Sequence, residues 1–142
     1  MAGHRPATAL RAASFVNAGW MAFVWVTRIR NAASDDEISS ATRAGAYALS
    51  AACLIGAALL VWVGWRGSPL GLARIVVVAH GLVWVVRGLQ IVFAGHDLAF
   101  VVVHEALAVI SISLAAWLLA VTGGFRARGR ASLRSAPLWD SP

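Results

Sequence analysis

Four long apolar runs, separated by short polar interruptions, make up most of the chain. They cover about 8–29, 43–65, 70–94 and 98–122, and each reaches the roughly 20 residues that a helix needs to cross a hydrocarbon core. The pattern predicts an all-α fold: an integral-membrane, antiparallel four-helix transmembrane bundle over 1–125, with both termini cytoplasmic, followed by a cytoplasmic arginine-rich tail over 126–142. The first run is the least apolar, because Arg11 and Asn17 interrupt it. It resembles a signal peptide ending near Asn31-Ala32-Ala33-Ser34, but Arg28 and Arg30 stand just before that point, where small uncharged residues are required. It is therefore read as a retained span.

The interruptions carry helix start and stop signals. Ser34-Asp35-Asp36-Glu37 has the capping-box spacing, a serine with a glutamate three residues on, and its acids suit the positive end of a helix dipole. Ser68-Pro69 places a capping serine before a proline at the first helical position. The connection there is so short that the second and third helices must be antiparallel neighbours. In Gly95-His96-Asp97, the glycine ends one helix and the aspartate caps the next. Gly123-Gly124 is expected to end the last span.

Composition agrees with a membrane solvent. Hydrophobic residues make up 60% and charged residues 13%, well below the roughly 25% charged of a soluble domain, and mean hydropathy is +0.75. The net charge of +6 comes entirely from arginine on the basic side. Those arginines flank apolar segments and do not line a folded basic face, which argues against nucleic acid as a partner. Arg5, Arg11, Arg66, Arg74, Arg126, Arg128, Arg130 and Arg134 fall on one side of the four spans, while Arg28, Arg30 and Arg43 fall on the other with Asp35, Asp36, Glu37 and Asp97. The richer side is assigned to the cytoplasm of a cell (inner or plasma) membrane. The single Cys53 has no partner in its own chain, so intrachain disulfides and cysteine-based metal sites are excluded.

Small residues at helical spacing allow close helix approach in lipid. Such stripes are Ser14, Ala18 and Ala22; Ala48, Ala52 and Gly56; and His104, Ala108, Ser111 and Ala115. Trp62 and Trp65 are expected at the interface, Trp20 and Trp84 inside. The segments Phe23-Val24-Trp25-Val26-Thr27-Arg28 and Leu82-Val83-Trp84-Val85-Val86-Arg87 are similar. If they reflect a duplicated hairpin, a pseudo-twofold along the membrane normal follows; in a chain so rich in Val, Trp and Arg, coincidence is the simpler account.

Candidate chemistry rests on polar residues within the apolar runs. Arg87 and Glu105 lie at similar distances from the Gly95-His96 turn, roughly 13 Å by helical rise, so they should share a depth near the bilayer centre. An unpaired charge there costs about 3 kcal/mol, which leads to an expected Arg87–Glu105 ion pair with His104 as a third member. Such a pair could pin the hairpin register, or, with titratable Glu105 and His104, form a proton or anion relay. His80, Trp84 and Arg87 share one helix face with Gln90 beside them. His80 is expected to bond Ser111, Ser113 or Asn17, and its offset of about 10 Å from His104 argues against a bis-histidine haem within one chain. Asp35, Asp36 and Glu37 are consecutive and do not converge on a cation, so no metal site is assigned. Arg126, Arg128, Arg130 and Arg134 are expected to bind anionic lipid headgroups.

No nucleotide loop, Ser-His-Asp set or paired catalytic carboxylates occur, which points away from an enzyme. The leading expectation is a small accessory or structural subunit of an inner-membrane assembly, or a homo-oligomer, with membrane lipids and either a membrane-protein partner or a second copy as its contacts. The alternatives are a small proton- or anion-coupled transporter using Arg87, Glu105, His104, His80 and Gln90, and a quinone- or haem-associated redox subunit. No cofactor is assigned.

Overall fold

A computed structural model of the chain describes the backbone over residues 4–134 and side chains over 7–123. It contains four helices: α1 (His4–Ser34), α2 (Ser40–Arg66), α3 (Leu70–Phe93) and α4 (Leu98–Arg134). Each contains a stretch long and apolar enough to cross a membrane, namely Ala7–Ser34, Ser40–Arg66, Leu70–Phe93 and Leu98–Gly123. The chain is thus a helical, multi-pass membrane protein. Large apolar side chains such as Ile55, Ile75, Leu82 and Val109 lie on the outside, where acyl chains solvate them and the helices keep their backbone bonds internal.

The helix ends follow the polar signals in part. Asp97 caps α4, accepting from the Phe100 amide at 2.9 Å, and Gly95 follows the end of α3 with φ 72°, a left-handed conformation that costs glycine nothing. Gly67 does the same after α2, with φ 75° and its amide on the Val63 carbonyl. Three expectations need correction. Nothing in Asn31-Ala32-Ala33-Ser34 stops a helix, so α1 runs through Ser34, and the cap of α2 is Ser39, whose hydroxyl accepts from the Thr42 amide at 3.1 Å. Asp35 instead forms a local turn, accepting from the Glu37 amide at 3.1 Å. At α3 the cap position is Pro69 itself, without a side-chain bond, so Ser68 lies one residue too early to serve. Finally, α4 continues through Gly123-Gly124 to Arg134; a mid-helix glycine costs about 1 kcal/mol relative to alanine, too little to end a helix alone.

Helix α1 packs against α2 and α4, and α3 against α4 and α2. The main core gathers Met21, Leu60, Val63, Val77 and Leu118, with Ala13, Ala18 and Ala73 allowing close approach. A smaller cluster of Val24, Trp84 and Ala108 lies further along the bundle. On α1, Ser14 and Ala18 are buried as expected, and so are Ala108, Ser111 and Ala115 on α4. The expected stripe on α2 is displaced. Ala48 and Ala52 are exposed, whereas Ala46, Ser50, Cys53, Ala57, Leu60 and Gly64 are buried with Gly56. At 3.6 residues per turn, steps of four drift around the helix by about 40° each; the buried set mixes steps of three and four and so stays on one face.

Candidate functional site

Among the described residues, two interior polar arrangements draw on both α1 and α3. The first centres on His80, which is 3% exposed. Trp84 lies one turn further along the same face of α3, and Trp25 reaches in from α1. Both indoles donate to the same atom, Nε2 of His80, at 3.0 Å from Trp25 and 3.1 Å from Trp84. The His80 and Trp84 rings stand nearly perpendicular, at 87°. An accepting Nε2 places the ring proton of a neutral imidazole on Nδ1. The expected partners of His80 are engaged elsewhere or face outward. Asn17 donates to the Ala13 and Leu114 carbonyls at 2.9 and 3.0 Å, Ser111 accepts from the Trp20 indole at 2.8 Å, and Ser113 is exposed. The tryptophans hold the interior together because each offers a large apolar body and a single donor.

The second arrangement is a cleft of about 210 Å³ among α1, α3 and α4. Phe23, Val24, Trp25, Trp84, Ile91 and Leu107 form its apolar walls, and Thr27, Arg28, Asn31, Arg87 and His104 supply its polar groups. The charged groups share a level. Arg28 lies six residues before the end of α1, Arg87 six before the end of α3, and His104 six after the start of α4, so each is about 9 Å along its helix from that end of the bundle. An arginine at the centre costs about 2.5–3.5 kcal/mol on insertion scales; nearer the surface its long stem can carry the guanidinium toward polar surroundings.

The expected ion pair between Arg87 and Glu105 is not made. The Glu105 carboxylate lies over Gly88, where an added Cβ would come within 3.1 Å of Oε1 and 3.3 Å of Oε2, and Oε1 is buried without a hydrogen-bond partner. Depth along the helices was legible, but direction around them was not. Adjacent residues on a helix point about 100° apart, so α3 turns its bare Gly88 toward Glu105 and sends Arg87 into the cleft. His104 joins Arg87 there and does not bridge to Glu105. Its Nδ1 donates to the Phe100 carbonyl at 2.8 Å and its ring stacks on Phe100 at 3.9 Å.

The sequence-predicted cluster is therefore divided. Arg87 and His104 share the cleft, while Gln90 lies with Arg87 on a separate groove of about 410 Å³ between α2 and α3. His80 is held by tryptophans that also wall the cleft, and Glu105 stands apart from both. Arg28 and Asn31 are cleft residues that sequence reasoning did not assign to a site, Arg28 having been read for topology alone. The signal was the similarity of Trp25-Val26-Thr27-Arg28 to Trp84-Val85-Val86-Arg87: both tryptophans meet at His80, and both arginines line the cleft. At the opposite end, Arg74 donates to the Thr122 hydroxyl at 3.0 Å and Arg11 makes a long contact of 3.4 Å to the Gly64 carbonyl. The side chains of Arg126, Arg128, Arg130 and Arg134 lie outside the described residues. No protein-family model, curated protein or solved structure matches the chain.

Proposed function

We propose that the chain is a small accessory or structural subunit of a larger inner-membrane assembly, or the protomer of a homo-oligomer, set in the membrane as an antiparallel four-helix bundle with both termini cytoplasmic. The observation that carries this reading is the economy of the chain between its spans. Only residues 35–39, 67–69 and 94–97 connect the helices, too few to build a catalytic unit outside the bilayer. The interior polar groups Asn17, Trp20, Trp25, His80 and Ser111 are spent on holding helices to one another. The partners are lipid, with Arg126, Arg128, Arg130 and Arg134 on anionic headgroups of the cytoplasmic leaflet, and another membrane protein or a second copy. The test is purification from native membranes in a mild detergent. A particle larger than one chain in its micelle, of reproducible subunit composition, is the expected result; a chain that travels alone overturns the proposal.

A proton- or anion-coupled transporter is the second reading, favoured by the unpartnered Oε1 of Glu105 and by the separate charged cleft that Arg28, Arg87 and His104 line. Glu105→Gln, which keeps the shape, should then abolish ion or substrate flux in reconstituted vesicles while leaving assembly intact; unchanged flux removes this reading. A haem-binding redox role has less support, because the Nε2 of His80 is already taken by two indoles.

A further inference from the structure

Arg28 and Arg87 enter one cleft from two different helices, and like charges brought together repel unless an anion lies between them. Among the described residues, none supplies such an anion. Among the described residues, neither guanidinium has a hydrogen-bond or ion-pair partner, and Glu105, the acid nearest in sequence position to the cleft wall, is turned onto Gly88. The imidazole that lines the cleft, His104, has its Nδ1 committed to the Phe100 carbonyl, which leaves Nε2 of the neutral ring an acceptor that offers an anion no proton. Two guanidinium forks suit a tetrahedral oxyanion, since arginine forks match phosphate geometry.

The remaining walls specify what the phosphate is attached to. They are apolar and aromatic, formed by residues such as Phe23, Trp25, Trp84 and Leu107, so a free hydrated ion would gain nothing from them. The volume of about 210 Å³ is below the roughly 300–1,000 Å³ of pockets that enclose a whole small-molecule ligand. It fits a headgroup whose tails remain outside. The level of the charged groups, about 9 Å from the helix ends, is within reach of the headgroup layer for side chains of this length. We infer that the α1–α3–α4 cleft is a binding site for the phosphodiester of one anionic glycerophospholipid, with Arg28 and Arg87 jointly holding the phosphate and the acyl chains lying along the outer faces of the helices. This site is at the opposite end of the bundle from Arg126, Arg128, Arg130 and Arg134, and it does not depend on whether the chain is a subunit or a transporter.

The alternative to a shared phosphate is two arginines that reach separately to whichever lipids pass. Native mass spectrometry of the full-length chain, purified in mild detergent and supplied with equal amounts of phosphatidylglycerol and phosphatidylcholine, separates the two. One phosphatidylglycerol should be retained per chain with a preference of at least about tenfold, the equivalent of one charge-assisted hydrogen bond. Arg28→Gln and Arg87→Gln should each remove that preference as completely as the double substitution, because one anion needs both forks. Arg30→Gln, at a neighbouring exposed position outside the cleft, should leave it intact and shows that losing any arginine is not the cause. Arg87→Lys keeps the charge and should fold as the parent does, yet retain the lipid less well. Equal retention of the two lipids overturns the inference. So do additive partial losses from the single variants, an Arg30→Gln loss equal to that of Arg28→Gln, or displacement of the lipid by excess inorganic phosphate.

Discussion

The indole nitrogen of Trp25 on α1 donates at 3.0 Å to the same imidazole nitrogen of His80 that receives the Trp84 indole at 3.1 Å. This ties α1 to α3, helices that otherwise meet mainly through α2 and α4. It also sets the inner wall of the cleft, because Trp25 and Trp84 are wall residues. A rigid wall keeps the arginines one turn further along each helix, Arg28 and Arg87, at one level.

Removing the acceptor should therefore cost more than removing one donor. His80→Leu leaves two buried indole N–H groups without a partner, each costing about 1–3 kcal/mol, whereas Trp25→Phe deletes one bond worth about 0.5–1.5 kcal/mol and leaves Trp84 paired. The expected order of stability is parent, then Trp25→Phe, then His80→Leu, with the last about 2–6 kcal/mol below the parent. Unfolding by sodium dodecyl sulfate in mixed micelles, followed by tryptophan fluorescence, measures it. Equal losses for the two variants would show that the indoles find other partners and that His80 is only a packing residue.

The contact between Glu105 and Gly88 gives a coupling experiment. A Cβ at position 88 meets the carboxylate oxygens at 3.1 and 3.3 Å, and these are the far end of a flexible side chain, so Gly88→Ala should cost less than about 1 kcal/mol. Gly88→Val adds branched bulk that the α3–α4 contact cannot absorb, at about 1–3 kcal/mol. In a Glu105→Ala background that cost should fall by at least about 0.5 kcal/mol, the scale expected of residues in direct contact. Strict additivity in the same unfolding assay would mean that the carboxylate does not occupy the space over Gly88.

The orientation of the bundle is open to direct labelling. On the proposed orientation the 67–69 connection lies on the cytoplasmic side and the 35–39 and 94–97 connections on the other. Single cysteines introduced as Asp36→Cys and His96→Cys should react with a membrane-impermeant maleimide added to intact cells, and Ser68→Cys should react only after the membrane is opened. The native thiol does not interfere, because Cys53 is buried. The opposite labelling pattern would invert the topology and move the Arg28–Arg87 cleft to the cytoplasmic leaflet.

What could be read from the sequence divides along a physical line. Span lengths and the depth of a residue follow from a fixed rise per residue, and so the four spans, the Asp97 cap and the Gly95 terminus were legible. Rotation around each helix axis depends on which neighbours fit, and nothing in one chain's spacing fixes it. That is why Ala48 and Ala52 turned out exposed, and why Glu105 was found on Gly88 instead of on Arg87. The capping-box spacing at Ser34 misled because Ser39, five residues later, is an equally good cap once α1 does not stop early. The site itself left one trace, the matching Trp and Arg of the two similar segments, whose meaning needed α1 and α3 to be brought together.

A close approach of α2 to α1 provides the last test and separates helix propensity from packing. A Cβ added at Gly64 would lie 3.0 Å from Ser14 Cβ and 3.2 Å from the Phe15 ring. The first neighbour is fixed to the backbone of α1, so the helices themselves must move, at about 1–3 kcal/mol. That outweighs the gain of about 1 kcal/mol from replacing a helical glycine by alanine, and Gly64→Ala should be destabilising. Gly19→Ala makes the same chemical change on α1 where nothing lies within 4 Å, so only the gain should remain. The partner residue supplies the decisive comparison. The Ser14 hydroxyl is buried without a hydrogen-bond partner, so Ser14→Ala alone should be neutral or stabilising, yet it keeps the Cβ and cannot rescue Gly64→Ala. Ser14→Gly removes that atom and should restore most of the loss. Rescue by Ser14→Ala to the same extent would place the clash on the hydroxyl and mean that α1 and α2 are further apart at Gly64 than a direct Cβ contact requires.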